Sequence, residues 1–171
     1  MVLGMSIAAF TMLHVVISLI GIAAGIPVVY GMLSSRKLPG WTALFLVTTI
    51  LTSVTGFFFP VDSLKPSHVF GILSLVILTI ACIALYGRKL AGAWRWIYIV
   101  SALTAFYLNV FVGIVQSFLK VSFLNVLAPT GTELPFASAQ AVLLVVFVWI
   151  GVLAVKKFHV APFMPSGHRS A

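Results

Sequence analysis

Five long stretches of this chain carry no charged side chain, and that spacing decides what it can fold into. No Asp, Glu, Lys or Arg occurs from Met1 to Ser35. Further neutral stretches run Leu38–Val61, Pro66–Gly87, Trp96–Leu119 and Leu134–Val155. Each can hold the roughly 20 apolar residues that cross a hydrocarbon core as a helix. A charge at mid-bilayer costs at least about 2.5 kcal/mol, so charges are expected between spans rather than within them. The stretches are continuously apolar, without the period-two alternation of a barrel strand, so helices are expected. The reading is an all-α integral membrane helix bundle with five transmembrane helices, at residues 6–33, 41–59, 67–87, 94–118 and 138–155. It occupies 1–158, and residues 159–171 form a cytoplasmic tail expected to be disordered.

Composition agrees. Of 171 residues, 62% are hydrophobic and only 7% charged, against about 25% charged in a soluble domain. That is too little charge to cover a water-facing surface. A single cysteine, Cys82, excludes a disulfide scaffold.

With five spans the two termini face opposite sides. One side receives Arg36, Lys37, Arg88, Lys89, Arg95, Lys156, Lys157 and Arg169; the other receives Lys65 and Lys120 together with both acids, Asp62 and Glu133. The positive-inside bias then puts the N-terminus outside and the C-terminus in the cytoplasm. Topology and lipid contact account for the net charge of +8, and no basic helix or base-stacking platform suggests nucleic acid. Tyr30, Trp41, Tyr86, Trp94, Trp96 and Tyr98 cluster beside the basic loops, where an aromatic belt belongs. No Lys or Arg precedes the first apolar run, so it reads as a span and not a cleaved signal peptide. Pro27 is expected to kink that span. Between the last two spans, Val121, Phe123, Leu124, Val126 and Leu127 predict a short outer interfacial helix over 121–128, ended by Ala128-Pro129-Thr130-Gly131.

The polar residues inside the apolar stretches are the candidates for chemistry. His14 lies 20 residues before Ser34 and His68 lies 20 residues before Arg88, on parallel helices at matching depth. Such a pair suits axial ligation of a b-type haem, a copper or zinc site, or a quinone headgroup. The favoured reading is plainer: two imidazoles that simply meet headgroups and water at helix ends, where polar residues cost little. Asn109, Gly113, Gln116 and Lys120 share one face of the fourth span. With Gln140, the residues His14, His68 and Gln116 are expected to ring an outward-facing polar vestibule. Gly21 and Gly25 form a Gly-x-x-x-Gly pair, and with Asn109 and Gly113 they are expected at helix–helix interfaces. Thr48, Thr52, Ser53, Thr55 and Gly56 make the second span a small, hydroxyl-rich packing seam. No Walker loop, dinucleotide-binding glycine pattern, His-Glu-x-x-His or Gly-x-Ser-x-Gly occurs, so no catalytic residue is assigned.

The runs Leu38-Pro39-Gly40-Trp41-Thr42-Ala43-Leu44-Phe45, Thr52-Ser53-Val54-Thr55-Gly56-Phe57 and Tyr107-Leu108-Asn109-Val110-Phe111-Val112 resemble those of small uncharacterised bacterial polytopic inner-membrane proteins. The resemblance implies a bacterial inner membrane and brings no activity with it. The leading expectation is a non-enzymatic accessory or interaction subunit of a larger inner-membrane assembly, whose partners are the lipid bilayer and other membrane subunits or further copies of itself. The alternative is a redox module holding haem or quinone at His14 and His68, and the third reading is a small transporter.

Overall fold

The computed structural model describes residues 1–60 and 66–159. Six α-helices run in chain order: α1 Ile7–Leu33, α2 Pro39–Gly56, α3 Pro66–Cys82, α4 Trp94–Lys120, α5 Ser122–Leu127 and α6 Leu134–Lys157. A π turn, Ile83–Gly87, continues α3. Among the described residues there is no strand, only an isolated bridge between Val2 and Met5. Asp62, Lys65 and nearly all of the expected tail lie outside the described residues. His159 belongs to them, and its N–H donates to Ser35 Oγ at 2.9 Å.

Local chemistry sets the helix ends. Ser6 caps α1 by accepting from the Ala9 N–H at 3.2 Å, and Pro27 sits within an unbroken α1. Pro39 opens α2. A proline in the first turn of α6 starts that helix at Leu134, four residues ahead of the expected 138. A proline is welcome there because its missing N–H would have no helical partner. Val121 adopts an extended conformation (φ −90°, ψ 113°) and separates α4 from α5, so the predicted short helix forms over Ser122–Leu127. Phe123 and Val126 on it are strongly exposed. At the opposite end of the bundle, Ser35, Lys89 and Leu90 hold φ of 53°, 50° and 62°. These left-handed conformations are unusual for side chains with a Cβ.

Four helical segments are long and apolar enough to cross a membrane: Ile7–Leu33, His68–Gly87, Trp94–Lys120 and Leu134–Lys157. α2 stands apart. Its 18 residues rise about 27 Å, and Thr42, Thr48, Thr49, Thr52, Ser53 and Thr55 dilute its apolar character. Several of these hydroxyls turn back on their own helix: Thr48 donates to Leu44 O at 2.7 Å, Ser53 to Thr49 O at 3.0 Å and Thr55 to Leu51 O at 2.7 Å. α2 nevertheless runs antiparallel along most of α1. Three contacts trace it: Gly31 against Arg36 and Leu38, Gly21 against Thr48 and Thr49, and His14 against Thr55.

α4 is the central helix. It packs against α1, α3 and α6 and buries Ile99, Ala102, Ala105, Phe106 and Leu108 among others. Glycines let α1 approach it: a Cβ on Gly25 would fall 2.6 Å from Phe106 Cε2, and one on Gly21 would fall 3.1 Å from Asn109 Nδ2. Gly113 continues the seam, 3.5 Å from Ile22 Cδ1 by the same construction. Lipid tails are as apolar as leucine, so close packing of this kind, rather than exclusion of water, holds such helices together. α6 lies on the rim. Ala154 is its only buried residue, and Val142, Val145, Val148 and Trp149 are all more than half exposed.

Candidate functional site

The residues singled out for chemistry gather where α1, α3 and α6 begin and α2 and α4 end. His14 is half-buried, its Nδ1 2.7 Å from Thr55 Oγ1, its ring edge-on to Phe59 at 5.3 Å. The Thr55 hydroxyl has one proton, and Leu51 O stands 2.7 Å from it as an acceptor. With the hydroxyl proton on Leu51 O, Thr55 Oγ1 accepts from His14, the imidazole proton sits on Nδ1 and the lone pair is on Nε2; with the hydroxyl turned to His14, the two nitrogens exchange roles. A second helix thus orients the ring, as happens to imidazoles that ligate through the other nitrogen.

His68 also lies near the α2 terminus. It is buried, and its ring lies 5.7 Å from that of Phe57. Gly71 makes room for that phenyl ring, since a Cβ there would approach Phe57 Cζ to 2.9 Å. Both imidazoles therefore rest on the end of α2 and the residues just past it, one against Thr55 and Phe59, the other against Phe57. Gln116 is half-buried on α4. Gln140 Nε2 donates to Phe111 O at 3.3 Å, joining α6 to α4, while its Oε1 is buried without a partner. Among the described residues, no three His, Cys, Asp or Glu side chains cluster to hold a metal ion.

Midway along the bundle, three helices bring polar atoms to Gly21. Asn109 Nδ2 and Thr48 Oγ1 lie 3.1 Å, and Thr49 Oγ1 3.3 Å, from the position a Gly21 Cβ would take. Asn109 is 9% and Thr49 2% exposed, and neither Asn109 Nδ2 nor Thr49 Oγ1 has a hydrogen-bond partner. The sequence showed a hydroxyl-rich second span and an Asn on the fourth. That they meet needs the three-helix packing, which no local pattern carries.

Beyond the end of α4, Glu133 ties its loop together. Its carboxylate accepts from Thr130 N–H at 3.1 Å, Thr130 Oγ1 at 2.8 Å and Thr132 N–H at 3.0 Å. Desolvation acts to raise its pKa, but the bonds from the Thr130 side chain and the loop backbone outweigh it and hold the carboxyl at about 2.

No family model, curated protein or solved structure matches the chain. The class therefore rests on the fold itself: an all-helical chain whose apolar helices are compatible with an integral membrane protein.

Proposed function

We propose that the chain is an accessory subunit of a bacterial inner-membrane assembly, crossing the bilayer five times with its N-terminus outside. The fifth span is α2, and its antiparallel run beside α1 from Gly31 to His14 supports counting it. At about 27 Å it nearly matches a hydrocarbon core of about 30 Å, and the hydroxyls of Thr48, Ser53 and Thr55 are spent on its own carbonyls. The eight-to-two division of Lys and Arg supports the orientation.

The observation that carries the subunit reading is the contrast between α4 and α6. α4 is packed on several sides, whereas α6 leaves Val142, Val145, Val148 and Trp149 bare. That row is where another subunit docks. The test is the mass of the complex extracted in mild detergent from the native membrane. A particle of fixed stoichiometry containing a second kind of chain is expected, and Val145→Ser with Trp149→Ser should release it. A monomer, or copies of this chain alone, contradicts the reading.

One observation favours a second reading, a redox module in which His14 and His68 hold a haem or a quinone headgroup: the bond between His14 Nδ1 and Thr55 Oγ1, which engages one ring nitrogen and leaves the other, Nε2, to meet a ligand. Purified protein with a Soret band that His14→Ala and His68→Ala each abolish is the outcome this reading requires. Protein without haem absorption and without bound quinone excludes it.

A further inference from the structure

We infer that the cavity at the basic end of the bundle binds the phosphate of an anionic phospholipid headgroup. Three chain segments converge there. Arg95 at the start of α4 donates from Nη1 to Phe158 O at 2.6 Å, just past α6. The His159 N–H reaches Ser35 Oγ, between α1 and α2. Between these segments and the end of α3 lies a cavity of about 120 Å³, lined by Arg36, Lys37, Thr42, Tyr86, Tyr98 and Phe158 among others.

Charge balance is the first argument. Arg36 and Lys37 are exposed, and no ion pair joins either to a carboxylate among the described residues. The sequence holds only two acids, Asp62 and Glu133; Glu133 stands at the start of α6, at the other end of the bundle, and Asp62 lies outside the described residues. Arg88, Lys89, Arg95, Lys156 and Lys157 crowd the same end as Arg36 and Lys37, so the negative charge that balances them comes from outside the protein. A phosphodiester supplies it in the form these groups recognise best: the Arg36 guanidinium matches two phosphate oxygens at once, Lys37 adds a point charge and the Tyr86 hydroxyl adds a donor.

Depth and lining choose lipid over free phosphate. Trp41, Tyr86 and Trp96 are about half exposed at this end, the position of a headgroup-level aromatic belt. Leu38, Pro39, Leu85 and Leu90 also line the cavity and are at least partly exposed, apolar surface that a glycerol and acyl chain cover and that a free anion does not. The inference holds whether or not α6 docks on another subunit.

The test compares retention of phosphatidylglycerol and phosphatidylcholine by the purified full chain, read by native mass spectrometry. One phosphatidylglycerol should be retained preferentially per chain. Arg36→Gln with Lys37→Gln should lower that preference about thirtyfold, two cations at about 1 kcal/mol each. Lys156→Gln with Lys157→Gln removes the same charge from the same end but not from the cavity, and should leave most of the preference intact. Tyr86→Phe, which keeps the ring, should lower it about fivefold and serves where the double variant does not fold. Equal losses in the two charge variants would show diffuse surface attraction and overturn the site. Displacement of the lipid by inorganic phosphate would make it a free-anion site. Equal retention of both lipids in the unaltered chain would remove it altogether.

Discussion

The two ends of the bundle are both polar, and they handle polarity in opposite ways. At the histidine end, several polar groups find partners within the chain, although Gln140 Oε1 does not. His14 bonds Thr55, Gln140 bonds Phe111 O, and Glu133 collects three donors from its own loop. At the basic end, Arg36, Lys37, Arg88, Lys89, Arg95, Lys156 and Lys157 meet no carboxylate among the described residues. Arg95 takes a carbonyl and Arg88 stacks over Trp94 at 5.2 Å, while Arg36 and Lys37 face a cavity with no carboxylate in it. A self-satisfied end is built to be rigid, and a charge-rich, acid-free end is built to meet something anionic. Conserving net charge along the chain would have blurred this; segregating it makes one end a structural closure and the other a binding surface.

Breaking the seam that joins the ends should have the largest effect. Gly25→Leu drives a side chain into the space held by Phe106, and should cost about 3 kcal/mol or more in denaturant unfolding in detergent, at the upper edge of ordinary overpacking. A loss below about 1 kcal/mol would show that α1 and α4 are not held as described. Next comes Arg95→Met, which removes a charged donor from the carbonyl of Phe158 and should cost about 1.5–3 kcal/mol. If stability is unchanged, the end of α6 is held by something other than that bond.

At the histidine end the effects should be smaller. A double-mutant cycle of His14→Ala and Thr55→Val should give a coupling of about 0.6 kcal/mol, the average for hydrogen bonds between membrane helices. Coupling near zero would mean the two side chains do not meet. Asn109→Leu sharpens the contrast further. Its Nδ2 is buried and unpartnered, so replacement by an apolar side chain should change stability by less than about 1 kcal/mol, in either direction. A large loss would reveal a bridging group between Asn109 and Thr49.

The smallest effect concerns Glu133. Its carboxyl titrates at about 2 when folded and near 4.5 without its partners. The loop is therefore fully held above about pH 4.5 and loosens as the pH falls through about 2, because a lowered pKa is a stabilisation of the ionised form. Amide exchange at Thr130 and Thr132 should accelerate over that interval beyond the ordinary pH trend, and Glu133→Gln should abolish the extra change. Protection that is constant relative to that trend down to pH 2 would contradict the assignment.

The helices were legible because one physical rule governs them: charges avoid the hydrocarbon, so gaps between charges mark the helices. The short helix after Val121 was legible from its apolar residues and the Pro-Gly turn behind it. The exact start of α6 was less so, since Leu134 and Pro135 belong equally well to a loop until packing decides. The apolar stretch ending at Gly87 read as plain helix, although its last turn, Ile83–Gly87, is π. Nothing in Ile-Ala-Leu-Tyr-Gly announces that change. His14, His68, Asn109 and the glycines were visible as exceptions in apolar runs, but their partners were not, because Thr55, Phe57 and Phe106 come from other helices. The cavity at the basic end was hidden by the use made of its charges. Arg36 and Lys37 were read for orientation and for lipid contact in general, and their sharing a cavity with Tyr86 and Tyr98 depends on contacts far apart in sequence.

The central claim is that the two ends lie on opposite faces of one membrane, with α2 crossing between them. Single cysteines at Lys37, Leu64, Ala91 and Val126 in a Cys82→Ala background test it most directly, by labelling intact cells with a membrane-impermeant maleimide. The account predicts that the cysteines at 64 and 126 label from outside, and those at 37 and 91 only after permeabilisation. Labelling of 37 and 64 from the same side would show that α2 does not cross, and the fully reversed pattern would contradict the orientation.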